Sequence, residues 1–242
     1  MSGIRIRSWA MTHPGPKRKH NEDAYVDRPD LGVWAVADGA GGHHAGEVAA
    51  GLIREALEAI PPGLSASELL AEVRERIVTA HDWLRAEAQR RGPDVVIAST
   101  VVVLLARNDH FACLWAGDSR AYLLRNGVLQ QISRDHSLVQ ELVDAGAIRP
   151  EEAEHHPRAN VITRAVGADL EDFALDKVSG PIRAGDRFLL CSDGLSKSVP
   201  EGELAALLGE DAGVPPSQNL VAAALALNTN DNVTAVTVEA AE

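Results

Sequence analysis

The sequence predicts an α+β fold in which helices bracket a largely antiparallel set of strands, and three observations carry that prediction. Strand-like apolar runs recur along most of the chain. One Asn-Gly dipeptide joins two of those runs as a hairpin. The amphipathic helical patterns come early and late instead of alternating strictly with strands, which argues against a Rossmann-like arrangement.

In chain order, strands are expected at Ile4 to Trp9, Val33 to Ala37, Val95 to Ala106, Phe111 to Ala116, Ala121 to Leu124, Val128 to Ile132, Arg187 to Cys191 and Val233 to Val238. Arg125-Asn126-Gly127 sits between two of them, and Asn-Gly supplies the positive φ values of a type I′ turn. Helices are expected at Glu47 to Ile60 and Ser67 to about Arg90. In the second, Leu69, Val73, Ile77, Ala80 and Leu84 recur at three- and four-residue steps, giving one apolar stripe that should lie against a sheet. Ser65 and Glu68 have the spacing of a capping box at its start. Two further amphipathic patterns run from Glu203 to Leu208 and from Ser217 to Leu227. Between Ser133 and Gly167 the pattern turns polar and irregular, with a short helical stretch at Leu138 to Val143, and reads as an insertion near the site.

At 242 residues and 45% hydrophobic content, one compact enzyme domain is the expectation. No fixed-period repeat interrupts it, and the Pro/Gly clusters at 61–63, 92–93 and 215–216 are loop-sized. The net charge of −12 disfavours diffuse attraction to nucleic acid or anionic lipid, so any phosphate must be caught locally. Cys113 and Cys191 each lie in an apolar run and read as buried thiols of a reduced, cytoplasmic protein. The start lacks the apolar segment of a signal peptide, and no membrane-length apolar stretch follows, so a soluble protein without membrane insertion is expected.

The sharpest local feature is Trp34-Ala35-Val36-Ala37-Asp38-Gly39-Ala40-Gly41-Gly42, an apolar strand running into an aspartate and a glycine-rich turn. Glycines let the backbone approach a ligand, and a carbonyl such as that of Gly39 is a hard oxygen donor to a cation. Asp-Gly is also a common turn dipeptide, so one copy says little. The construction returns at Phe188-Leu189-Leu190-Cys191-Ser192-Asp193-Gly194 and, mirrored, at Asp231-Asn232 before the last strand. The end of one antiparallel strand and the start of the next share a sheet edge, so three carboxylates can meet there. Clustered carboxylates repel unless a multivalent cation neutralises them, and all-oxygen ligation selects Mg2+ or Mn2+ over zinc. A two-metal hydrolytic site follows as the hypothesis. Asp118, in Gly117-Asp118-Ser119-Arg120, ends another apolar run and reads either as a further ligand or as a turn with a local Asp–Arg pair. In Arg18-Lys19-His20-Asn21-Glu22-Asp23 the guanidinium suits phosphate oxygens, whereas the adjacent acids suit the shell of a metal.

These residues resemble the metal-dependent PPM, or type 2C, protein serine/threonine phosphatases, particularly the stand-alone bacterial members. Arg18, Asn21, Glu22 and Asp23 match a first motif, Asp38 to Glu47 a second and Gly117 to Arg120 a third. Asp135-His136-Ser137 through Gly146 and His156-Pro157 to Gly167 match a flap, Ser192 to Leu195 and Asp231 to Thr234 the last two. The resemblance implies a four-layer α/β/β/α sandwich over residues 1–242, with the flap at about 133–170 and two Mn2+ or Mg2+ ions at one sheet edge. It implies that Asp38 bridges the metals, that the Gly39 carbonyl serves one of them, and that Asp193 and Asp231 serve the other. Glu22 and Asp23 would hold metal-associated waters, Asp118 with Asp193 a weaker third ion, Asn232 a supporting hydrogen bond, and Arg18 the substrate phosphate. The implied reaction is hydrolysis of phosphoserine and phosphothreonine in proteins by a water bridging two metals, reversing a partner Ser/Thr kinase, in a monomer. Some relatives carry a histidine where Ala40 stands; His43 and His44 are near it in sequence, and solvated loop histidines are the expectation for both. His136, His155 and His156 lack a zinc spacing and read as structural or substrate contacts, and Trp34 and Trp115 as core. The alternatives are a metal-binding pseudophosphatase or phosphoprotein-binding module, and a phosphoesterase acting on small metabolites.

Overall fold

The computed structural model describes residues 4–41, 44–153, 155–168, 173–210 and 213–241. Among them the elements run β1 (Arg5–His13), β2 (Asp23–Arg28), β3 (Val33–Ala40), α1 (Ala45–Glu58), α2 (Ala66–Arg91), β4 (Ala98–Ser99), β5 (Val101–Arg107), β6 (His110–Ala116), β7 (Arg120–Arg125) and β8 (Val128–Gln131). They continue with α3 (Leu138–Asp144), α4 (Pro150–Ala153), β9 (Asp176–Pro181), β10 (Arg187–Cys191), α5 (Asp193–Ser196), α6 (Glu201–Gly209), α7 (Pro216–Ala226) and β11 (Val233–Ala241).

Side-chain alternation along the strands builds the layers. Trp34, Val36, Val102, Leu104, Phe188, Leu190, Val236 and Val238 fill the space between two sheets. The residues between them point the other way: Val33, Ala35, Val101 and Val103 pack with α1 and α2, and Leu189, Cys191, Val233 and Ala235 pack with α6 and α7. One sheet has the order β1-β11-β10-β7-β8 and the other β2-β3-β5-β6-β9, with the short β4 paired to the end of β3. The ladders are antiparallel. The outcome is the α/β/β/α sandwich.

Local signals explain the boundaries. Asn126 and Gly127 adopt φ of 53° and 76° and close the β7–β8 hairpin, with Arg125 opposite Val128. Ser65 and Glu68 cap α2 reciprocally, the Ser65 hydroxyl accepting from the Glu68 amide and the Glu68 carboxylate from the Ser65 amide. The apolar run expected as one strand from Val95 to Ala106 is broken at Thr100, whose amide turns to the Asp38 carbonyl.

Two strands lie outside the sequence expectation. In β2 the residues facing the other sheet include Asp23 and Asp27, and Asp27 is satisfied there by the Ser8 hydroxyl and the Trp34 indole instead of by apolar packing. The second, β9, has the sequence Asp-Lys-Val-Ser-Gly-Pro at the sheet margin, where a strand needs few apolar residues. The polar stretch after β8 folds across the site edge, closed on itself by a bridge between Ser137 and Ile162 and tied to the body by one between Ser99 and Val166.

Candidate metal centre

The inward face that carries Trp34 and Val36 reaches the sheet edge at Asp38. Directly opposite it in the β2–β3 ladder stands Asp23. From the second sheet, β10 ends one residue before Ser192-Asp193, and β11 starts immediately after Asp231-Asn232. Asp118 comes to the same edge in the β6–β7 turn. A cleft of about 530 Å³ is lined by Arg18, Glu22, Asp38, Gly39, Asp118, Asp193, Asp231 and Asn232, among others, with Asn160 and Ile162 of the insertion forming its wall. The backbone is crowded here: a Cβ on Gly39 would overlap the Gly46 carbonyl, and one on Gly194 would overlap that of Asn232.

Hydroxyls and one amide side chain hold the acids in place. Asp23 Oδ2 accepts hydrogen bonds from Ser192 Oγ and Thr234 Oγ1, each at 2.7 Å, which joins the two sheets at the site. Asn232 accepts from the Glu22 amide at 2.8 Å and donates to the Pro14 and His20 carbonyls at 2.9 Å, fixing the loop that carries Arg18 and Glu22. Thr100 Oγ1 accepts from the Asp38 amide at 3.1 Å and contacts Ser119 Oγ at 2.7 Å, linking β3 to the Asp118 turn.

The electrostatics call for a cation. Burial, aided by Asp193 and Asp231 and opposed by the Thr234 and Ser192 hydroxyls, pushes the Asp23 carboxyl up to about 7. Burial and then the charges of Asp23, Asp193, Asp118 and Asp231 hold Asp38 well above the usual carboxylate range. Asp118 is raised by burial, with Lys197 opposing. Asp23 Oδ1 and Asp118 Oδ1 are buried without a hydrogen-bond partner among the described residues. The carboxylates of Asp38, Asp118, Asp193 and Asp231 and the backbone at Gly39 line one cleft, a hard, all-oxygen donor set that fits Mn2+ or Mg2+.

The two local cations have taken up carboxylates of the cleft. Arg18 Nη2 donates to Asp231 Oδ2 at 2.7 Å from a half-exposed position. Lys197 Nζ donates to Asp193 Oδ2 at 2.7 Å, to Asp118 Oδ2 at 3.1 Å and to Asn160 Oδ1 at 3.1 Å. Burial works against the Lys197 charge, but Asp193 and Asp118 outweigh it and hold its ammonium above the usual lysine range. The local Asp118–Arg120 pair offered by the sequence is absent: Arg120 instead grips Asp135 at 2.7 to 3.0 Å, because Arg120 starts β7 and points to the stretch after β8.

The histidines sort by contact. His136 Nδ1 accepts from the Gly117 amide at 3.2 Å and its Nε2 lies 3.3 Å from Asp176, a structural position beside Trp115. His44 precedes α1 with φ of 64°, its ring against His20 and its Nδ1 3.5 Å from Glu47 Oε2. His43 lies outside the described residues. His156 Nδ1 accepts from the Arg158 amide. Trp34 is fully buried and Trp115 nearly so, as core residues. Both cysteines are buried free thiols, and burial pushes them up, Cys191 to about 12. Sequence reasoning placed Ser192 and Thr234 in motifs without giving them a role and did not single out Thr100, Lys197 or Asn160; the detectable signal was Thr234, a hydroxyl in the inward row that otherwise reads Val236, Val238.

Fold and cleft together define a class of protein: a two-sheet sandwich whose acid-lined edge suits a pair of hard divalent cations. The pattern of the Protein phosphatase 2C family matches residues 17–212. The structure described as "PppA, a key regulatory component of T6SS in Pseudomonas aeruginosa" superposes with a TM-score of 0.90 at 44% identity, over 98% of this chain and 99% of that one. The catalytic domain of the serine/threonine protein phosphatase PstP, solved in complex with two manganese ions, superposes with a TM-score of 0.85 at 34% identity, over 99% of each chain. The serine/threonine phosphatase stp of Listeria monocytogenes is 33% identical over 94% of this chain and 93% of its own length. Full-length PstP of Mycobacterium tuberculosis is 36% identical over 96% of this chain, which spans 44% of its length. The chain belongs to the Protein phosphatase 2C family.

Proposed function

We propose that this chain hydrolyses phosphoserine and phosphothreonine in proteins, using two divalent cations held at the shared sheet edge. The observation that carries the proposal is the cleft itself: Asp38, Asp193 and Asp231 line it together, with buried carboxylate oxygens unpartnered beside them. Relatives named serine/threonine phosphatases, one of them solved with two manganese ions, support the same reading.

Asp38 and the Gly39 carbonyl would hold one ion, and Asp38 with Asp193 and Asp231 the other. When bound, Mn2+ or Mg2+ there supplies Lewis-acid polarisation of the phosphate and lowers the cost of ionising water at neutral pH. Glu22 and Asp23 would hold waters around the ions, with the buried Asp23 oriented by Ser192 and Thr234. Arg18 exchanges Asp231 for the phosphate oxygens, which its planar fork matches in pairs. Water forms the new P–O bond while the bond to the seryl or threonyl oxygen breaks opposite it, and no covalent intermediate on the protein is required. Ala40 provides no proton donor; the attacking water gives up one proton as the leaving oxygen takes one up, so the step balances whichever group of the cleft carries it. The bound cations would supply the local positive charge that lets a chain of net charge −12 process a phosphoanion.

The described residues act as one phosphatase domain with the flap at about 133–170, working as a cytoplasmic monomer on substrates set by a partner Ser/Thr kinase. Among the described residues no helix is long and apolar enough to cross a membrane. The test is kcat/KM on phosphothreonine and phosphoserine peptides against a small phosphorylated metabolite. Preference for the peptides supports the proposal, preference for the metabolite replaces it with a small-molecule phosphoesterase, and metal binding without turnover replaces it with a pseudophosphatase.

A further inference from the structure

Lys197 follows Asp193 by four residues at the end of the single-turn α5, so its backbone amide bonds the Asp193 carbonyl while its ammonium returns to the same residue's carboxylate. The ammonium also reaches Asp118, which is 3% exposed at its side chain and belongs to another turn of the fold, and Asn160 of the flap. It stands in the partition between two cavities: the main cleft and a smaller one of about 130 Å³ under the flap, lined in part by Asp135, Ser137 and Ser196. Its position between Asp118 and Asp193 is the one the family resemblance implies for a weaker third ion.

We propose that Lys197 is a positioning residue that takes the place of a third metal ion, neutralising Asp118 and Asp193 with a built-in ammonium and tying the flap to the metal edge through Asn160. A divalent ion and an ammonium cannot share the space between two carboxylates. Asp118 Oδ2 and Asp193 Oδ2 are already committed to Lys197, and a third cation would have to expel a charge tethered to the same backbone turn. A metal-based link would come and go with metal concentration; a lysine link persists in the metal-free protein. The two remaining ions rest on the proposed function, whereas the tether does not.

The experiment compares the wild type with Lys197→Met, which removes the ammonium and keeps much of the apolar stem, and with Lys197→Arg, which keeps the positive charge. Mn2+ stoichiometry by calorimetric titration should be two for the wild type and Lys197→Arg and three for Lys197→Met, with the third lost in Lys197→Met/Asp118→Asn. Backbone hydrogen exchange over residues 155–163 in EDTA should rise about tenfold or more in Lys197→Met, as expected for loss of a charged hydrogen bond, and stay near wild type in Lys197→Arg. An unchanged melting temperature separates these effects from misfolding. A wild type that binds three Mn2+, the third lost in Asp118→Asn, or flap exchange unchanged in a folded Lys197→Met, overturns the inference. A wild type that binds no Mn2+ contradicts the proposed function, and the metal-free exchange measurement then decides the tether alone.

Discussion

Asp23 and Asp38 stand directly opposite each other across the β2–β3 ladder, two acids paired where antiparallel strands tolerate like charges poorly. One of them has to be protonated or a cation has to be near. The folded protein holds the Asp23 carboxyl at about 7 against an ordinary 3.8. A raised carboxyl adds stability that is complete below the unfolded value and lost as pH rises through the folded one, at most about 4 kcal/mol here. His81 and His136, lowered by burial, run the other way near pH 6.5.

The difference in melting temperature between wild type and Asp23→Asn therefore isolates the effect. In EDTA that difference should fall, to the wild type's disadvantage, between pH 5 and 7.5, and saturating Mn2+ should restore it. A difference that stays constant across the range would show that the Asp23–Asp38 pair does not demand charge neutralisation.

Arg18 is half exposed and bound to Asp231, so replacing it should leave the fold intact. Arg18→Ala should reduce kcat/KM on a phosphopeptide by about 10–100-fold, the worth of one or two charged hydrogen bonds, and Arg18→Lys should recover only part of that. A loss below twofold would remove Arg18 from phosphate recognition.

Asn232 is 6% exposed and spends its side chain on three backbone groups of the 14–22 loop. Asn232→Ala leaves those groups unpaired and should cost about 2–4 kcal/mol, lowering the melting temperature by roughly 5–15 °C. Thermal unfolding in EDTA measures it without relying on activity.

The histidines near Ala40 should matter little to the chemistry. Half of the His44 side chain or more is exposed, and its partners are His20 and Glu47. His44→Ala and His43→Ala are each expected to lose less than about tenfold in kcat, below the usual contribution of a general acid. A much larger loss in His43→Ala would identify the proton donor.

What the sequence revealed, and what it hid, follows from which forces act locally. The strands leading to Asp38 and Asp193 and the strand after Asp231 were legible because apolar runs stop abruptly at acids followed by glycine or asparagine, although β3 continues through Asp38 to Ala40 and β10 stops at Cys191, before Asp193. The Asn126-Gly127 hairpin and the Ser65–Glu68 cap were legible because they are settled within four residues. The strand carrying Asp23 was hidden because its inward row includes two acids with partners outside the strand, Asp23 with Ser192 and Thr234 and Asp27 with Ser8 and Trp34. Lys197 was hidden for a related reason: its spacing from Asp193 is readable, but its contacts to Asp118 and Asn160 exist only once the sheets and flap are assembled. Arg120 shows the converse, since the nearest acid in sequence, Asp118, is not the one it binds.

The most direct measurement is phosphate release from a phosphothreonine peptide as a function of Mn2+, with and without chelator, for wild type and Asp193→Asn. The metal-centre account predicts turnover that rises with Mn2+, vanishes in EDTA, returns on adding metal back, and is abolished in a folded Asp193→Asn. Turnover that persists in EDTA, or an Asp193→Asn variant as active as the wild type, would contradict it.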